Sequence, residues 1–144
     1  MYACHRTPGT ALEHSALVGY SILLVEQEPH AARNLQRTLE GAGAHVLEAP
    51  HVSDALTIIE AGELSAVVLD YTRSINGNHQ VARELATLGI PFVLCKVIGR
   101  KEAWPQAPVL NEPFSGADLI EILRRLLQPA HVSTQLAGRP NVKA

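Results

Sequence analysis

Short, continuous apolar runs alternate with segments of helical period along most of this chain, and that alternation restricts the fold more than any other feature. Ile22-Leu23-Leu24-Val25 and Ala66-Val67-Val68-Leu69 carry no polar position at every second residue. That is how strands buried on both faces read. After the first run, Pro29 suits a first helical turn, because its missing N–H was unpaired there anyway. Ala32, Leu35 and Leu39 then mark one helical face, and Gly41 and Gly43 end the helix. A second strand is predicted over Ala44–Ala49. A second helix follows Ser53 as N-cap, with Ala55, Leu56, Ile58 and Ile59 apolar, and Gly62 closes it. The third strand ends at Asp70, and a polar loop over 71–78 leads to a third helix reaching about Leu88. Gly89 and Pro91 bracket the turn into a fourth strand, Phe92–Lys96. Residues 97–106 have little periodicity, so any fourth helix is short or irregular. A fifth strand covers about Ala107–Leu110. Ser115 caps the last helix and Asp118 stands where a carboxylate meets the positive end of the helix dipole. Leu119, Ile122, Leu123, Leu126 and Leu127 form its buried face.

Five strand–helix units in strict alternation predict a doubly wound α/β domain with a parallel sheet, because parallel strands need crossover connections. The length of 144 residues suits one domain. We expect it over 20–128, after a flexible leader (1–19) and before a disordered polar tail (129–144). Apolar residues make up 47% and the formal charge is −2, which describes a compact globule without the basic surplus of a nucleic-acid or membrane binder. The apolar run Ala16–Val25 is about half as long as the roughly 20 residues of a membrane span. It also lacks the flanks of a signal peptide. Two distant cysteines, Cys4 and Cys95, make no disulfide framework. A cytoplasmic location is therefore expected.

In such sheets the ligand site lies at the carboxyl ends of the strands. Those ends carry Glu26-Gln27-Glu28-Pro29, Asp70, Lys96 and Asn111-Glu112-Pro113-Phe114. Several carboxylates and one ammonium could together handle a divalent cation or a phosphoryl group. Here the sequence resembles the receiver domains of two-component signalling. Val25-Glu26-Gln27-Glu28-Pro29 looks like their acidic turn, and Val67-Val68-Leu69-Asp70 like their phosphoacceptor strand. Pro91-Phe92-Val93-Leu94-Cys95-Lys96 looks like the fourth strand, which usually ends in threonine or serine. Glu112-Pro113-Phe114 looks like the lysine-proline-phenylalanine motif. The match runs from Ser21 to Leu127, and Gly89–Phe114 is similar to a stand-alone subgroup common in alphaproteobacteria. The resemblance implies a flavodoxin-like fold with strand order 2-1-3-4-5, Asp70 at the phosphoacceptor position, a cis Glu112–Pro113 bond and a magnesium ion held by Glu26 and Asp70. It also implies a signalling module rather than an enzyme, catalysing at most its own phosphorylation. Its partner would be a histidine kinase, a phosphotransfer protein or another signalling protein, and a homodimer is compatible with it.

The departures from the pattern are specific. Gln27 stands where the family's second acid binds magnesium, Lys96 where the switch hydroxyl stands, and Glu112 where the lysine contacts the phosphoryl group. Gly77 serves the loop after Asp70, which lacks the family's usual proline. The positive charge has moved from strand five to strand four, leaving the formal charge of the pocket unchanged. Two unit charges about 4 Å apart interact by about 4 kcal/mol at an effective dielectric of 20, so Lys96 is expected to pair with Asp70, Glu112 or both. Phosphoryl transfer depends on positioning and charge neutralisation. With these changes we expect a weak magnesium site and weak or absent phosphorylation. A working magnesium-dependent phosphoacceptor is the alternative. A metal-assisted phosphohydrolase is a third reading, disfavoured because no second acid lies two residues after Asp70. A flavodoxin-type cofactor site is disfavoured by the acidic first turn, which would repel a phosphate.

Other features read more plainly. Cys95 is expected to be an inert buried thiol. The seven histidines show no metal spacing. Gly41-Ala42-Gly43 lies between a helix and a strand, the wrong order for a nucleotide loop. Glu28 reads as helix-start charge, and Arg124-Arg125 as a charge pair at a helix C-terminus.

Overall fold

The computed structural model describes residues 15–71, 78–95 and 107–128. They form a parallel sheet of strand order β2-β1-β3-β4-β5. The strands are β1 (Ser21–Val25), β2 (His45–Ala49), β3 (Ala66–Asp70), β4 (Phe92–Cys95) and β5 (Val109–Leu110). The helices are α1 (Pro29–Gly41), α2 (Val52–Ala61), α3 (Asn78–Leu88) and α4 (Gly116–Leu127). Strand order and class are those expected from the sequence. The expected short fourth helix and Lys96 lie outside the described residues.

β1, β3 and β4 are almost wholly buried, because helices cover both faces of the sheet. Alternate side chains feed two cores. Ile22, Leu24, Val68, Val93 and Cys95 pack with Leu39 of α1 and with Leu119 and Leu123 of α4. Leu23, Val25, Val67, Leu69 and Leu94 pack with Ala55 and Ile59 of α2 and with Val81 and Leu85 of α3. The Leu23–Val67 and Val67–Phe92 registers lock the central strands together.

Helix ends follow the local sequence. Gly43, at φ 98°, lets Ala44 N–H reach the Leu39 carbonyl and Gly43 N–H the Glu40 carbonyl. This left-handed closure satisfies the last carbonyls of α1. Gly89, at φ 74°, repeats it at the end of α3, with Ile90 bonding to Leu85 and Gly89 to Ala86. Ser115 and Asp118 form a reciprocal capping box at α4, as their spacing predicts.

Two expectations need correction. The N-cap of α2 is His51, not Ser53, and no side chain caps that end. Val52 is half-buried against the α2–α3 core, so its packing starts the helix earlier than the hydroxyl would. The expected leader is also not loose throughout. Leu17 is fully buried on the α1–α4 side, and its N–H donates to the Ala42 carbonyl at 2.8 Å. Residues 1–14 and the expected tail, 129–144, lie outside the described residues. Among the described residues, no helix is long and apolar enough to cross a membrane.

Candidate functional site

Sheet register brings the acidic positions together. Val25 pairs with Leu69, so Glu26, the next residue of one strand, stands beside Asp70, the last of the other. Neighbouring strands lie about 4.8 Å apart and successive side chains alternate in direction. Leu24 and Val68 face the α1–α4 side, so Glu26 and Asp70 share that side at the carboxyl end of the sheet. Asp70 pairs in turn with Cys95, which is buried on the same side.

The surroundings of these residues differ. Glu26 is the one buried charged side chain among the described residues, at 5% exposure. Its Oε2 accepts the Glu28 N–H at 3.2 Å, which turns the chain sharply after β1. Gln27 is exposed. Glu28, read from the sequence as helix-start charge, stands at that helix start and caps it. It is the N-cap of α1, and its Oε1 accepts the Ala31 N–H at 2.8 Å. Glu112 and Pro113 are exposed and joined by a cis peptide bond, as expected. Lys96, the expected partner of Asp70 or Glu112, lies outside the described residues, as does Gly77.

Two further contacts flank Asp70. The Asn78 side-chain amide donates to the Asp70 carbonyl, bridging the ends of the 71–78 connection. The Tyr71 hydroxyl and His79 Nδ1 are 3.2 Å apart, with Tyr71 2% exposed in the α2–α3 core. Sequence reasoning missed both, because a tyrosine in a polar loop gives no periodic signal.

Among the described residues, no three His, Cys, Asp or Glu side chains converge as a ready metal site. Glu26 and Asp70 remain a pair of adjacent carboxylate positions. Carboxylate oxygens are the donor type magnesium takes, so these two residues would hold such an ion and the chain offers it two ligands at most among the described residues.

Comparison with solved structures gives this geometry a family. A CheY-like response regulator receiver domain from Methanospirillum hungatei JF-1 superposes with a TM-score of 0.66 at 18% identity, covering 78% of this chain and 97% of that one. The receiver domain of the sensor histidine kinase PA1611 from Pseudomonas aeruginosa PAO1 was solved with magnesium in its active site cleft. It superposes with a TM-score of 0.67 at 22% identity, over 76% of this chain and 98% of that one. These two show the fold. SdrG from Sphingomonas melonis Fr1 is 32% identical over 78% of this chain and 98% of its own, with a TM-score of 0.65. This chain belongs to the receiver-domain family. Its fold is that of the receiver domains of two-component systems. No protein-family model and no curated protein sequence matches it.

Proposed function

We infer that this receiver domain acts chiefly by binding other proteins, with Asp70 at the phosphoacceptor position and phosphorylation weak or absent. One observation carries the reading. Directly after the buried Glu26, the position of the second acid is an exposed, neutral glutamine, Gln27. A glutamine offers a carbonyl oxygen but no charge, so the site attracts a divalent cation less strongly. Glu112 adds to the effect by placing a carboxylate where the receiver pattern has the phosphate-contacting lysine. Like charge near an incoming phosphoryl group opposes its approach.

Magnesium, if taken up, would be held by Glu26 and Asp70 and would neutralise charge on phosphoryl oxygens. Glu26 is held in place by the Glu28 amide, so the chain itself supplies one fixed carboxylate. The magnesium-bearing receiver of PA1611 supports keeping this ion in the reading. The partner we propose is a histidine kinase, a phosphotransfer protein or another signalling protein in the cytoplasm. It would dock on α1 and the face from β4 to α4. The outer side of α1 is charged and exposed at Arg33 and Arg37.

Incubation with acetyl phosphate and magnesium, followed by intact mass, tests this directly. The expected result is no added phosphoryl group on a protein shown to be folded. Stoichiometric addition that disappears in Asp70→Asn would establish a working phosphoacceptor and overturn the reading.

A further inference from the structure

At the end of the sheet opposite Glu26 and Asp70, α2 and α3 terminate side by side over a groove of about 420 Å3. Its apolar surface includes Ile59, Leu88 and Ile90. Ile59 is buried, whereas Leu88 is 50% exposed and presents its side chain to the groove mouth. Three carboxylates line the same groove, Glu60, Glu63 and Glu84, and among the described residues no basic side chain does.

The electrostatics are one-sided for two independent reasons. No arginine or lysine among the described residues pairs with these carboxylates, whereas Glu121 on α4 holds both Arg124 and Arg125. The groove also receives the C-terminal ends of two helices, and neither has a basic residue in its last turn. Helix C-termini carry partial negative charge and favour cations. Here carboxylates stand instead. Glu63 further holds a left-handed backbone at φ 71°, a conformation glycine would adopt more easily.

We propose that this groove docks a basic peptide segment of a partner protein, one aliphatic side chain entering between Leu88 and Ile90 while flanking arginines or lysines meet Glu60, Glu63 and Glu84. The negative field specifies the sign of the segment, and the exposed apolar surface specifies an anchor that a bare cation lacks. The site is separate from the Asp70 pocket and does not depend on how that pocket works.

The test is an NMR titration of the full chain, 15N-labelled, with a synthetic peptide carrying one leucine flanked by arginines. Saturable shifts are expected at the amides of Glu60–Leu64 and Glu84–Ile90. Replacing the peptide leucine by alanine should weaken binding at least about tenfold, because the buried apolar contact is lost. Glu63→Gly removes a carboxylate and relaxes the backbone. It should fold at least as well as the parent and bind about threefold more weakly. Glu84→Gln should weaken binding further. Absence of saturation overturns the proposal. So do shifts centred on Glu26 and Asp70, affinity indifferent to the leucine, or equal displacement by spermidine, which would mean simple counterion attraction.

Discussion

The Tyr71 hydroxyl meets Nδ1 of His79 at 3.2 Å, joining the residue after Asp70 to the first turn of α3. Tyr71 N–H also donates to the Cys95 carbonyl at 2.9 Å, so its main chain is tied to β4. The position of α3 is therefore tied to the end of β3 by side chains as well as by the connecting chain. Tyr71→Phe keeps the apolar ring and deletes one hydrogen bond. We expect a loss of about 0.5–1.5 kcal/mol, read from the urea midpoint with unchanged m-value.

Leu17 gives a sharper test of where the folded unit begins. It is fully buried among Leu39, Leu119 and their neighbours. Leu17→Ala should cost about 2–5 kcal/mol, as other buried leucine truncations do, and lower the thermal midpoint clearly. A change within error would mean that the segment before β1 contributes no core.

How much of this was readable in advance follows from which forces leave a mark in sequence. The continuous runs of β1 and β3 and the Ser115–Asp118 cap are local patterns, and each gave its element with few boundary errors. The places of Glu26 just after β1 and of Asp70 at the end of β3 were legible because a polar residue closes each apolar run. Leu17 was not, since a lone leucine in an aperiodic stretch announces nothing until Ala42 is beside it. The start of α2 was misplaced because Ser53 looked like a cap, while burial of Val52 decided the matter. The Tyr71–His79 contact spans a loop without period, and the acid-lined groove gathers residues from two helices and a turn. Neither has a one-dimensional signature.

Glu121 should titrate below its ordinary value of 4.5, chiefly because Arg124 donates to its carboxylate and secondarily because Arg125 does. A carboxyl depressed in the folded state adds stability above its unfolded pKa and loses it as pH falls through the lower, folded value. Carboxyl NMR titration should therefore place its midpoint below 4.5. Glu121→Gln should flatten the acid limb of the stability curve in that window. The pair is exposed, so high salt should shrink the difference.

On the function proposed above, returning the receiver pattern's side chains to the pocket should strengthen magnesium binding and phosphorylation. Gln27→Asp adds a second acid beside Glu26 and should tighten magnesium about tenfold, followed by amide shifts near Glu26 and Asp70. Asp70→Asn in the same background should abolish most of that gain. Combining Gln27→Asp with Lys96→Thr and Glu112→Lys returns a hydroxyl and a lysine to the positions the receiver pattern gives them. That triple variant should accept a phosphoryl group from acetyl phosphate far faster than the parent, by intact mass. Equal labelling of parent and triple variant would show that the three changes do not limit the reaction. The neutral Gln27 would then be a tolerated substitution rather than the cause of a silent pocket.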